Sequence, residues 1–257
     1  MKTNGNLIMN TDKIQKIQED GYDFPYHHVP LYKKIFTQCF NWTWGINYVS
    51  TIEFLIDKIK QEKFESLVDI GCGDGRLTKE LTEEFKNKDV EGIDYSEKAI
   101  TLAKLMHPQG KYHCIDILNT HLNKKYDIAL LIEVFEHIPP EISDTFLSAV
   151  ARLMNKDGTL LLTVPHINAP LDPKHYRHFS VETLSNCLDK YFNIVEIIPF
   201  EKIDKRKEII DLSLTNKLFI LNSKRLNQLI YNYYKKNLFF ADKEEFCKRI
   251  YIKAKMK

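Results

Sequence analysis

The chain lacks the features that mark secreted and membrane-spanning proteins. Its five cysteines, Cys39, Cys72, Cys114, Cys187 and Cys247, are scattered, and none forms a CxxC pair. An odd count without paired spacing argues against a disulfide framework and against a cysteine-built zinc site. It fits reduced thiols in a cytoplasm. No apolar run approaches the ~20 residues of a membrane-spanning helix. The first residues contain no apolar signal core. Internal repeats are absent. Glycine is scarce, with nine in 257 residues, yet three of the nine fall within positions 71–75.

What is present is a globular composition. A hydrophobic fraction of 44% with 12% aromatics supplies a packed core for one large domain, or one domain plus a cap. The opening "MKTNGNLIMNTD" is polar and aperiodic and is expected to be disordered. The net charge of +2 hides an asymmetry: residues 1–200 carry 22 basic and 28 acidic side chains, residues 201–257 carry 15 and 7. A basic C-terminal segment can meet an anionic substrate, a nucleic acid or a membrane surface, or can be a solvated lysine-rich face.

Along the chain, short apolar runs alternate with helix-like periods. "INYVSTIEFLIDKIKQ" (46–61) places Ile46, Val49, Ile52, Ile56 and Ile59 at helical spacing. Strands are predicted at "SLVDI", "DVEGID", "KYHCIDI", "YDIALLI", "GTLLLTV" and "FNIVEIIPF". Helices are predicted between them, two with the serine caps Ser96 and Ser180, one begun by proline. That rhythm predicts a parallel sheet covered on both faces. Residues 200–247 then read as helical and basic, and "KRIYIKAKM" as a returning edge strand. The expected organisation is a tail and lid over 1–45, a core over 46–199, a helical basic cap over 200–247 and a final core strand over 248–257.

In such sheets ligands sit at the carboxyl ends of the strands. The loop "VDIGCGDGR" follows the first strand, and its glycines let the backbone turn and approach a ligand. A dinucleotide fingerprint would read GxGxxG. Here Gly75 arrives one residue early, and Asp69 and Asp74 would repel a pyrophosphate. Asp94, Asp116 and Glu133 end or follow the next strands, so acids ring the site. That pattern suits a nucleoside carrying positive charge.

"VDIGCGDGR", "EGIDYSEKAI", "CIDIL", "IALLIEVFEHI" and "DGTLLLTVP" resemble the successive motifs of class I S-adenosylmethionine-dependent methyltransferases, over roughly residues 64–198. The resemblance implies a Rossmann-like, doubly wound, seven-stranded α/β sheet with an antiparallel last strand, and S-adenosyl-L-methionine as cofactor. It implies that Asp69, Gly71 and Gly73, with Cys72 between them, line the methionine part. Asp94, with Tyr95 beside it, would bind the ribose, Asp116 and Ile117 would flank the adenine, and Glu133 and Val134 would close the pocket beside the sulfonium.

Methyl transfer to an alcohol needs a base or a metal, because the hydroxyl proton is tightly held. His137 follows the fourth strand, and His166, His175 and His178 lie in the loop after the fifth. Histidine is a natural proton acceptor near neutrality, so His137, His175 and His178 are the candidate bases for O-methylation. "HYRHFS" before a helix also resembles methyltransferases of glycan biosynthesis, which implies a small-molecule or sugar hydroxyl. Tyr26, His27, His28, His166 and Arg177 are the candidate substrate contacts. "EVFEH" is further similar to the metal site of small-RNA 3′-terminal 2′-O-methyltransferases; on that alternative Glu133, Glu136 and His137, with His178 or His175, would hold a divalent cation. N-methylation, nucleic acid contact through the basic C-terminal segment and homo-oligomerisation stay open. An oxidoreductase of the same sheet type is disfavoured by the fingerprint spacing.

Overall fold

A computed structural model describes residues 13–20, 42–120, 122–214, 221 and 223–257, without the side chains of 42–44 and 224. A helix over 13–20 (α1) precedes α2 (Trp42–Ile59), β1 (Ser66–Ile70), α3 (Arg76–Glu84), β2 (Asp89–Asp94), α4 (Glu97–Met106), β3 (Lys111–Cys114) and β4 (Tyr126–Ile132). Two single 3-10 turns, Phe135–His137 and Pro140–Ile142, lead into α5 (Ser143–Arg152). Then come β5 (Met154–Pro165), α6 (Val181–Leu188), β6 (Phe192–Lys202), α7 (Lys205–Leu214), α8 (Lys224–Asn237) and β7 (Cys247–Met256).

The seven strands form one sheet in the order β3-β2-β1-β4-β5-β7-β6. β1 to β5 pair in parallel, and β7 is antiparallel to both β5 and β6. The final strand is therefore not at the edge, where its alternating pattern had suggested. It slots between β5 and β6, and Ile250, Tyr251 and Ile252 are all fully buried because both faces of the sheet are covered there. The edge belongs to β6, whose side chains alternate between partly buried and exposed over much of its length.

Period-two alternation sorts the strands onto two cores. Val68, Ala129, Leu131, Leu160 and Leu162 pack with Phe146 and Leu147 of α5 and Leu184 of α6. Their neighbours Leu67, Ile128, Leu130 and Leu161 face the other way, against Leu55 and Ile59 of α2 and Leu81 of α3. Each such buried side chain is worth about 1.5–3 kcal/mol relative to water. α8, part of the segment expected to be a cap, contributes Tyr234 to this second core, and Leu238 and Phe239 follow it there.

Local chemistry sets the boundaries. Ser96 accepts from Ala99 N at 3.2 Å and starts α4. Ser180 and Thr183 form a reciprocal capping box at α6. The third strand stops at Cys114, three residues earlier than its apolar run suggests. Asp116 Oδ1 accepts from Leu118 N at 2.9 Å and closes a turn there.

Candidate active site at the carboxyl ends of the strands

The glycine loop owes its shape to positive φ and to crowding. Gly71, Gly73 and Gly75 have φ of 74°, 55° and 74°. A Cβ on Gly71 would lie 2.6 Å from Val134 Cγ2, and one on Gly75 would lie 2.7 Å from Ala103 Cβ. The carbonyl of Ile93 accepts from Gly71 N at 2.7 Å and Cys72 N at 3.1 Å, tying the loop to the end of β2. Asp94 completes the tie: Oδ2 accepts from Gly73 N at 3.0 Å and Oδ1 from Ser96 N at 2.9 Å. Each carboxylate oxygen keeps a lone pair.

Beside this loop lies a cavity of about 400 Å³, within the range of small-molecule sites. Gly71, Cys72, Gly73, Asp94, Tyr95, Asp116, Ile117, Glu133 and Val134 all line it. Asp69 does not. It is 2% exposed beneath the loop, accepts from Thr78 Oγ1 at 2.7 Å, and is pushed up to about 7 by burial, with Asp94 and Asp74 adding to the effect. Burial also raises Asp94, against the lowering by its backbone donors. The cavity wall further includes Gln15 and Gln18 of α1, Tyr48 of α2 and Lys174, none of which belongs to a readable motif.

His137 lines the same cavity. Its Nδ1 lies 3.0 Å from the carbonyl of Lys174 and must donate to it, which leaves Nε2 as a lone pair. Burial lowers its pKa, so the ring is held neutral near pH 7. His178 Nδ1 likewise donates to Ala169 O at 3.1 Å, so its Nε2 accepts from His175 Nδ1 at 2.8 Å. Burial, then the charge of His137, pushes His175 down to about 4. The rings of His137 and His175 meet edge-on at 4.7 Å. Neither His175 nor His178 reaches the cavity wall; they stand behind His137 as its backing.

Two expected substrate contacts are scaffold instead. His166 is 2% exposed, accepts from Asn168 N at 3.1 Å through Nδ1, and donates through Nε2 to Glu244 at 2.9 Å. The Arg177 guanidinium stacks over Phe135 at 5.3 Å and Phe179 at 4.8 Å and donates to Ser143 Oγ. Tyr26, His27 and His28 lie outside the described residues.

The four-residue cation set is not assembled as expected. The Glu133 carboxylate accepts from Thr163 Oγ1 at 2.9 Å and Arg249 Nε at 2.8 Å. Both nitrogens of His178 are spoken for. The structure instead brings ligand-type atoms of Glu136, His137 and His175 within 4.8 Å of one another. Glu136 is fully buried, and neither carboxylate oxygen has a hydrogen-bond partner among the described residues. Burial, with the charge of Glu133, holds its carboxyl well above the usual range. Carboxylate and neutral imidazole are donors a divalent cation accepts.

Arg249 is the ionic partner of the cavity wall that pattern reading missed. Beyond Glu133 it pairs with Glu201, and among the described residues these are the two non-glycine residues with positive φ, 56° and 57°. Glu201 also accepts from Asn47 Nδ2 at 3.3 Å, and Asn47 Oδ1 accepts from the Tyr234 hydroxyl at 2.9 Å. The cavity wall is thereby linked to α2 and α8. Only the sheet register, which sets Arg249 opposite both Pro165 and Phe200, could have found it.

Comparison with known proteins agrees with this architecture. The family model described as "Methyltransferase domain" matches residues 47–196. A ubiquinone biosynthesis O-methyltransferase of Hydrogenovibrio crunogenus is 31% identical over 124 residues, covering 46% of this chain and 49% of that protein. The first curated relatives are matched over 31%, 49% and 47% of their own lengths, so the chain spans less than half of each. Among solved structures, a SAM-dependent methyltransferase from Archaeoglobus fulgidus superposes with a TM-score of 0.53 at 19% identity, covering 84% of this chain and 99% of that one. The 1,6-didemethyltoxoflavin-N1-methyltransferase of Burkholderia thailandensis gives 0.56 at 14% identity, covering 100% and 91%. These structures share the fold, and the match over residues 47–196 takes in all of the site except α1, Arg249 and Glu201: the chain belongs to the methyltransferase domain family.

Proposed function

We propose that this protein is an S-adenosylmethionine-dependent methyltransferase that methylates a hydroxyl of a small molecule or sugar, with His137 as proton acceptor. The observation that carries the reading is the acid-lined cavity beside the glycine loop, with the neutral imidazole of His137 in its wall. The residues fit the donor. The spare lone pairs of Asp94 suit vicinal ribose hydroxyls. Ile117 beside Asp116 offers an apolar face next to an acceptor. Carboxylates near the loop suit a cationic ligand.

The donor supplies a methyl carbon on a positively charged sulfur. Held by the glycine loop, Asp94 and Asp116, it would offer that carbon to the acceptor oxygen with a neutral thioether as leaving group. The acceptor proton passes to His137 Nε2. Lys174 O and the His175–His178 pair fix the ring's tautomer and direction. Positioning of donor and acceptor in one cleft supplies much of the rate. The ubiquinone O-methyltransferase relative supports oxygen as the acceptor atom.

Calorimetry with S-adenosylhomocysteine tests the donor assignment: micromolar binding is expected, lost in Asp94→Ala. His137→Ala should leave that affinity near its original value and lower turnover by about 10²–10⁴ in a hydroxyl acceptor screen. Equal loss of both would remove His137 as base. The unpartnered Glu136 carboxylate favours a second reading, in which a divalent cation on Glu136, His137 and His175 activates the hydroxyl. Activity abolished by chelator and restored by manganese would select it.

A further inference from the structure

Among the described residues, the basic excess of the C-terminal segment reaches the site through Arg249 and, at Glu201, through Lys207. α8, "KRLNQLIYNYYKKN", contains four basic residues and no acidic one. Its inward face is committed: Tyr234 is 2% exposed in the α2-side core, and Lys235 pairs with Glu53. Its outward face carries Leu226, Leu229 and Tyr233 at i, i+3 and i+7, with exposures of 44%, 65% and 40%. On α7, Ile209 and Leu212 are 64% and 80% exposed. Arg206 Nη1 donates to the Tyr233 hydroxyl at 3.4 Å, which sets the first turn of α7 beside the last turns of α8. Exposed Arg225 and Lys236 bracket the α8 stripe, and Lys205 is exposed at the start of α7.

We propose that the outward face of α7 and α8 docks on an anionic lipid surface. The apolar stripe of α8, with its cationic rim and no carboxylate, is the pattern of a helix that lies in the headgroup region; on α7 the exposed Glu208 offsets Lys205. Phosphate-bearing headgroups match the rim, and the acyl boundary takes the leucines. A nucleic acid would satisfy the cations but leave Leu212 and Leu229 in water. No helix among the described residues is long and apolar enough to cross a membrane, so contact of this kind is peripheral. The proposal stands on surface chemistry and does not depend on methyl transfer.

Flotation of the full chain with vesicles tests it. The chain should float with vesicles containing about 30 mol% phosphatidylglycerol and stay behind with pure phosphatidylcholine, and salt should weaken the binding. Leu212→Glu with Leu229→Glu should weaken binding about tenfold or more, with the unfolding midpoint unchanged to within a few degrees. Arg225→Glu with Lys236→Glu should weaken it on anionic vesicles. Two results would overturn the proposal: absence of flotation with anionic vesicles, or undiminished flotation of both double variants. A concentration-dependent dimer abolished by the leucine changes, without flotation, would assign the face to a second copy of the chain instead. Donor binding, read separately by calorimetry, bears only on the enzymatic reading.

Discussion

Asp69 carries a cost at neutral pH that its position imposes. Its carboxyl titrates near 3.8 when unfolded and at about 7 in the buried native site. Between those values the native state holds a proton that the unfolded chain has released. Stability from this group is therefore complete below pH 4 and lost as pH rises through about 7. The thermal midpoint should fall between pH 5 and pH 8, by about 2–4 °C per kcal/mol for a chain of this size. Asp69→Asn, which keeps an acceptor for Thr78, should narrow that difference; an unchanged slope would show that Asp69 is not its source. Glu136→Gln bears on the neighbouring cluster. The amide removes a buried acid without changing volume, so stability should hold within about 1 kcal/mol, measured by urea unfolding. A chelator-sensitive enzyme would lose its activity. At this scale the sequence revealed Asp94, Asp116 and Glu133, because an acid after an apolar run lands at a strand end by local rules alone. It concealed the roles of His166 and Arg177. Glu244, which pins His166, lies 78 positions away, and Phe135 comes to Arg177 only when the loop after β5 folds back.

The loop from β1 to α3 turns on glycines that no other residue replaces cheaply. Gly75→Ala forces a left-handed backbone and a 2.7 Å contact with Ala103. A loss of roughly 2–5 kcal/mol is expected in denaturant unfolding, and a loss under 1 kcal/mol would mean that the loop relaxes. Strand and helix order was readable because burial patterns switch between periods of two and 3.6, and because Ser96 and Ser180 mark helix starts. The position of β7 was not. An alternating segment says that two faces differ, but pairing partners are chosen by tertiary contacts. Tyr251 contributes to the α2-side core and stands 4.9 Å from Phe54. The same non-local packing draws Tyr234 of α8 inward and makes part of an expected cap into a core layer.

Across the whole molecule, Arg249 joins what the sheet would otherwise keep apart. Its guanidinium answers Glu133 in the cavity wall and Glu201 at the end of β6, two glutamates held in a left-handed backbone conformation that costs about 1–3 kcal/mol each. Arg249→Met should lower stability by about 1–3 kcal/mol, less than for a fully buried pair because Arg249 and Glu133 keep 28% and 30% exposure. Donor affinity should fall as well, as Glu133 loses its orientation. Adding Glu133→Gln should recover part of the stability. Additive losses in the double variant would mean that the two residues act independently.

The slot that β7 fills also dictates an order of events during synthesis. Among the described residues, β6 hydrogen-bonds to the sheet only through β7. Residues 192–202 thus leave the ribosome with no strand to join, and they wait until Cys247–Met256 has been made. Until then the two β-edges that β7 will cover, one on β5 and one on β6, stand open, the kind of surface that invites pairing with another polypeptide. Arg249 lies within that late strand, so the ionic clamp on Glu133 forms only once the last segment has been threaded home.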